Sequence, residues 1–174
     1  LRMGKHSVVA GINWKKESFE QKRRELTNWR NHSSFDSTTY PGGLYEINKG
    51  ATNNLALFVQ DTYRPNFNWA IYTGLRIDRF KKFDGQHVTY DTTNNRYDTV
   101  NHGEGSYTEW SPKLAIEHYV TDSLNVYASY GHSFNPPPLS QVYRYTDVVR
   151  ANPNLDPERS DTFEVGMKKE WGTK

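Results

Sequence analysis

Apolar and polar residues alternate with period two in six stretches of the chain, a pattern that predicts strands with two unlike faces. In 6–15 the set Val8, Ala10, Ile12 and Trp14 alternates with Ser7, Val9, Gly11 and Asn13. In 54–63, Leu55, Leu57 and Val59 oppose Ala56, Phe58 and Gln60. In 69–80, Trp69, Ile71, Thr73, Leu75 and Ile77 oppose Tyr72, Gly74, Arg76 and Asp78. The stretch 108–119 sets Trp110, Leu114 and Ile116 against Lys113, Ala115 and Glu117. The last two, 124–133 and 162–169, place Leu124, Val126, Ala128 and Tyr130, then Phe163, Val165 and Met167, on one face.

The opposite face carries charge: Arg76, Asp78, Lys113, Glu117, Glu164 and Lys168. Strands of soluble sandwiches average ~5–6 residues. These run to roughly ten, the length a tilted strand needs to cross a bilayer. Trp14, Trp69, Trp110 and Tyr130 fall near strand ends, where interfacial aromatic girdles belong. The connections divide into two kinds that alternate along the chain. Residues 64–68 and 120–123 are short polar turns, whereas 17–53, 81–107 and 134–161 are long. Loops of that length are uncommon in compact soluble domains. In outer-membrane barrels the short turns face the periplasm and the long loops face outward.

Composition agrees with this reading. Only 34% of the 174 residues are apolar and the mean hydropathy is −0.92, yet 14% are aromatic, with 12 tyrosines. Disordered chains are poor in aromatics, whereas a barrel with a wet interior needs an apolar residue only at every second position. No window approaches the ~20 consecutive apolar residues of a membrane helix. The start, Leu1-Arg2-Met3-Gly4-Lys5, has no apolar run after its basic residues, so no signal peptide is expected and the chain reads as starting within something larger. The net charge of +2 gives no reason to expect nucleic acid, and the absence of cysteine excludes disulfides and thiolate metal sites. Six strands with two open edges do not close a wide barrel. The fold class expected is therefore all-β, an antiparallel transmembrane β-barrel segment of about six strands belonging to a larger barrel.

Several ordered motifs resemble the TonB-dependent receptors of Gram-negative outer membranes. Phe58-Val59-Gln60-Asp61 precedes a short turn, and Gly74-Leu75-Arg76-Ile77-Asp78 is similar to the family's Gly-x-Arg-x-Asp strand. Ser111-Pro112-Lys113-Leu114 follows the second long connection, and Asn125 to Gly131, then Ser133-Phe134 and Pro137, resembles the tyrosine strand and its exit. Asn152-Pro153-Asn154-Leu155 with Pro157-Glu158-Arg159-Ser160, then Phe163-Glu164-Val165-Gly166, completes the set. The resemblance implies energised import of a ferric siderophore, haem, cobalamin or glycan through a plugged barrel of about 22 strands. It implies that 1–174 is part of one barrel domain, with the plug and its contact to the inner-membrane TonB complex outside this chain. Haem receptors of the family carry a histidine before the Asn-Pro-Asn-Leu segment. Pro136 to Ala151 holds none, and Phe134-Asn135-Pro136-Pro137 departs from the haem-type Phe-Arg-Ala-Pro, which disfavours haem. With the frequency of siderophore receptors in the family, the resemblance implies a ferric siderophore, with haem, cobalamin or a glycan as alternatives.

Candidate sites keep two readings each. Arg23, Arg24 and Arg30, with Trp29 and Tyr40, are candidates for capturing an anionic chelate. The same cations equally suit lipopolysaccharide phosphates or Glu17, Glu20 and Glu25. Arg76, Asp78, Lys113 and Glu117 face either the plug or simply the hydrated lumen. Asn152, Pro153, Asn154, Leu155, Pro157, Glu158 and Ser160 read as structural, prolines pinning the path while Asn and Asp satisfy turn amides. His6, His32, His87, His102 and His118 stand at no ligand spacing and His132 lies within a strand. No nucleophile–base pair or phosphate loop stands out, so no enzyme, cofactor or resident metal is expected. A passive porin or adhesin barrel and a soluble secreted glycan-binding β-protein are the rival readings.

Overall fold

The computed structural model describes residues 2–146 and 150–171. They form one antiparallel sheet built from β1 (Arg2–Met3), β2 (His6–Arg24), β3 (Leu44–Asn66), β4 (Trp69–Asp91), β5 (Arg96–Asn101), β6 (Gly105–Thr121), β7 (Leu124–Asn135) and β8 (Glu158–Lys169). The spatial order is β1-β2-β3-β4-β6-β7-β8, with β5 pairing the far end of β4. One short helix, α1 (Leu139–Tyr143), lies between β7 and β8.

All six expected strands are present, but several overrun their expected bounds. Of the stretches expected as long loops, about half of 17–53 and most of 81–107 are strand. β2 and β3 stay paired as far as Arg24↔Leu44. β4 continues to Asp91, turns, and returns as β5, pairing Asp91↔Arg96 through Gln86↔Asn101. At about 3.3 Å per residue, the 23 residues of β3 and of β4 reach roughly 75 Å. A bilayer takes only about 9–11 tilted residues. Beyond that depth water wets both faces, so the ladder persists without an apolar stripe. The loop that remains after β2, 25–43, is itself folded back, with Leu26 bridging Phe35 and the Glu25 amide donating to the Gly43 carbonyl at 2.8 Å.

The expected faces are confirmed, and their burial is inverted relative to a soluble protein. The register Ile12↔Leu57↔Ile77↔Trp110 runs an apolar row across four strands. Ile12 is 72% exposed and Val165 85% exposed, whereas Asp78 is 1% exposed and Asn48 is fully buried. Trp14, Trp110 and Tyr130 cap the upper ends of their apolar runs, and Trp69, with His118 stacked on it at 4.2 Å, starts the run on β4. An apolar belt spanning six strands exceeds the few hundred Å² that soluble monomers expose. It needs lipid.

One irregularity interrupts the β3–β4 ladder above the belt. Between Lys49 and Ala51 on β3 the partner strand β4 advances from Gln86 to Phe83, so β4 carries one extra residue. Asp84 there adopts φ 54, in the left-handed region. Such a bulge kinks the strand and re-aims its neighbours.

Candidate functional site

The charged face is organised by one carboxylate. Asp78 accepts two hydrogen bonds from Arg76, at 2.7 Å from both Nε and Nη2, and a third from Asn54 Nδ2 at 2.9 Å. Positions 76 and 78 share a face because strand side chains repeat every second residue. The fork geometry of the guanidinium satisfies both oxygens of a buried group that would otherwise be costly. Lys113, which makes no ion pair among the described residues, lines a cavity of about 470 Å³ together with Arg76, Asp78, Phe58 and Ser111. Glu117 accepts from the Tyr72 hydroxyl at 3.2 Å and from Asn125. The wall is polar and largely cross-linked to itself.

Past the belt, β2, β3 and β4 carry a second polar cluster. Arg23 Nη1 donates to the buried Glu46 at 2.6 Å, and Asn48 Nδ2 donates to Glu46 Oε1 at 2.7 Å. Asn48 Nδ2 also donates to the Tyr145 carbonyl at 3.1 Å, so its Oδ1 is left to accept from His87 Nδ1 at 2.7 Å. That assignment puts the proton of a neutral His87 on Nδ1. Rings gather alongside: Tyr40 lies 5.4 Å from Tyr45 and 6.0 Å from Tyr90, and the Arg23 guanidinium sits 5.1 Å over Tyr45. Nearer the tip, Arg30 lies 4.9 Å over Trp29, which is 75% exposed, and Arg24 lies 4.5 Å over Phe35. Asp36 and Asp91 are held below the usual carboxylate range by hydrogen bonds with the turn residues Thr38 and Asn94.

The described residues of the β7–β8 connection, 136–146 and 150–157, lie against this cluster as a strap. Gln141 accepts from the Asn152 amide at 3.2 Å, and Asn152 Oδ1 accepts from the Asn154 amide at 3.0 Å, closing the Asn-Pro-Asn-Leu turn. Lys82 Nζ donates to the Pro153 carbonyl at 2.6 Å, and burial pushes its pKa down, with Asp156 acting the other way. Pro157 is buried where the strap re-enters the sheet. Glu158 opens β8 opposite Asn135, and Ser160 pairs with Ser133. Arg159 reaches past β7 to the buried Glu109 on β6 at 2.5 and 3.1 Å. Burial, then Glu109, push the neighbouring Tyr107 phenol up to about 12.

The sheet, its inverted faces and its polar inner wall have counterparts among known proteins. The family described as TonB dependent receptor-like, beta-barrel matches residues 4–174. This chain belongs to the TonB-dependent receptor family. Its members are non-enzymatic transporters of the Gram-negative outer membrane, which fixes its location and excludes the soluble secreted reading. Among solved structures it is similar to the closed form of Fiu, the ferric-catecholate import receptor of E. coli K12, with TM-score 0.69 and 20% identity. That match covers 97% of this chain and 27% of Fiu. The copper transporter OprC matches with TM-score 0.73 and 17% identity over 98% of this chain and 26% of OprC. The chain thus spans about a quarter of the length of these relatives, and the likeness concerns the fold.

Within this receptor wall, several residues sit elsewhere than sequence spacing implied. Arg23 and Arg24 are strand residues at the top of β2, not loop residues, and Arg23 is committed to Glu46. Lys15 pairs with Glu17 at 2.7 Å and Lys22 with Glu20, consistent with cations balanced along their own strand. Arg76 and Asp78 pair within β4 rather than with Lys113 and Glu117, because Lys113 stands opposite Gly74 and Glu117 opposite Ala70. His87 and His102, unremarkable by spacing, meet across the β4–β5 hairpin, with their rings 4.4 and 5.5 Å from Tyr145. Glu46, Asn48, Lys82, Glu109 and Tyr143 are not visible as a group in the sequence. The faint two-residue spacing of Glu46, Asn48 and Gly50 is their one trace there.

Proposed function

We propose that this chain is one arc of the barrel wall of a receptor that captures a ferric siderophore at the cell surface and imports it. The observation that carries the reading is the inverted sheet, with lipid on its apolar face and a polar wall organised around Asp78 and Glu117 on the other. On this reading the turns at 67–68 and 122–123 face the periplasm and the extended β2–β5 region stands outside. Trp29, Arg30 and Tyr40 make first contact with the ligand, while Arg24 and Arg23 contribute field rather than a free hydrogen-bonding hand. Flat anionic catecholate arms suit rings paired with guanidinium groups. Fiu, named a ferric-catecholate import receptor, supports that ligand class, and OprC, named a copper transporter, marks the competing one.

Arg76, Asp78, Lys113 and Glu117 then face a plug domain, which couples the barrel to the inner-membrane TonB complex. Lipopolysaccharide and outer-membrane lipid pack against the belt. Binding to the intact detergent-solubilised receptor, read by quenching of tryptophan fluorescence, tests the ligand. A ferric catecholate is expected to quench saturably, and the Trp29→Ala, Arg30→Ala pair to weaken it about tenfold, ~1.4 kcal/mol. Saturable binding of haem, cobalamin or copper, with none of a ferric siderophore, overturns the proposal.

A further inference from the structure

The strap between β7 and β8 is seated, not merely draped. Tyr143 and Val142 of α1 are each only 1% exposed, the two largest fully buried side chains among the described residues. The Tyr143 ring occupies a notch made by Gly50 on β3 and Gly85 on β4, and a Cβ at either glycine would overlap it. Gly85 follows Asp84 in the bulge, so the extra residue of β4 opens the notch. Two residues on, Tyr145 lies between two imidazoles: His87 of β4, tilted 36°, and His102 after β5, stacked within 3°. One strap ring therefore packs against two imidazoles.

The two histidines are not equivalent. His87 is held by Asn48 and lies 3.9 Å from Glu46, which already accepts from Arg23 and Asn48. His102 is fixed through its backbone, its amide donating to the Gly85 carbonyl at 2.8 Å, but its Nε2 is buried with no hydrogen-bond partner. Charged groups near the seat include Asp84 on the bulge and Glu104 after His102, both felt by the Tyr143 phenol, and, on the strap itself, Arg144, whose buried Nε has no hydrogen-bond partner among the described residues. None of them makes a hydrogen bond with His102. Burial, then the proximity of His87, hold the His102 pKa below its ordinary value.

We infer that 139–145 is a pH-sensitive latch, closed by Tyr143 in the Gly50–Gly85 notch while His102 is neutral and released when His102 is protonated. The sign comes from linkage. A base whose docked pKa is depressed binds its proton more readily when released, so latching is complete above the ordinary histidine pKa of about 6.5 and weakens as pH falls through it. Each unit between the docked and released pKa is tenfold in the latching equilibrium. The device regulates access to the polar wall beneath, whichever ligand the receptor carries.

These 174 residues contribute no cysteine, so in the intact receptor, with any cysteine elsewhere replaced by serine, Val142→Cys reports the latch directly. Its maleimide labelling on whole cells is compared with Ser33→Cys in the exposed loop, which cancels the pH dependence of the thiol itself. The ratio is expected to rise from pH 7.5 to 5.5, with about tenfold as the ceiling that one histidine of ordinary released pKa sets. His102→Gln should keep the ratio low at both pH values, and Gly85→Ala should make it high at both. A flat ratio in the parent, or a pH response surviving His102→Gln, overturns the inference. So does a Gly85→Ala receptor that stays closed. Amide hydrogen exchange over 139–145 in the unsubstituted receptor, corrected for intrinsic pH dependence, gives the same answer should the cysteine variant not fold. Faster exchange at pH 5.5 supports release, and unchanged protection overturns it.

Discussion

Replacing Leu57 by arginine separates a lipid-facing belt from any water-facing one. Leu57 sits mid-row, paired with Ile12 on one side and Ile77 on the other, and is half exposed with no polar neighbour in that row. On a wet surface such a change alters stability by less than about 0.5 kcal/mol. At the midplane of a bilayer an arginine on a barrel's lipid face costs about 2–4 kcal/mol. That is a factor of roughly 30 to 900 in the folding equilibrium. The neighbouring Gln60, one strand face away, lines the polar cavity, so Gln60→Arg serves as the matched control. Both variants of the intact receptor are folded from urea into short-chain phosphatidylcholine vesicles, with tryptophan fluorescence reporting insertion. Leu57→Arg should lose about 2 kcal/mol or more, and Gln60→Arg less than about 1. Equal losses, or a Leu57→Arg penalty below about 0.5 kcal/mol, would refute the assignment of the two faces.

The upper wall supports two further tests. Arg159→Ala leaves the buried Glu109 without its two-pronged partner and should lower the midpoint of urea unfolding. Arg159→Lys should recover less than half of that, because a lysine cannot reproduce the two-pronged bond; full recovery would show that charge alone suffices. Tyr107 should keep its proton well past the ordinary tyrosine value of 10.0, ionising near about 12. A phenol whose folded pKa is raised contributes stability that is whole below pH 10 and lost as pH rises through about 12. The difference in tyrosinate absorbance between the parent and Tyr107→Phe should show its step near the upper value, and a step near 10 refutes the burial argument.

How much of the fold is legible in the sequence depends on where the chain lies relative to the bilayer. Inside the belt, lipid forces every second residue to be apolar, so Leu55, Leu57, Val59 and Ile71, Leu75, Ile77 announce both strand and face. Above it the same strands run through Glu46, Asn48, Lys82 and His87, where water on both sides removes that demand and the alternation fades. The extended ladder therefore reads as loop in the sequence, and Arg23 as a loop cation. The aromatic caps and the Asn-Pro-Asn-Leu turn are legible because their chemistry is local.

The membrane class, the two faces, the short turns and the family are all present in the sequence alone, since each rests on periodicity or on contiguous motifs. Which distant residues meet is settled only in three dimensions. Arg76 takes Asp78 as its partner, Arg159 takes Glu109 across 50 residues, and His87 and His102 close on Tyr145. Those pairings depend on strand register and on one extra residue at the Asp84 bulge. A one-residue change in register turns every side chain to the other face, and no local pattern in a wet strand encodes it.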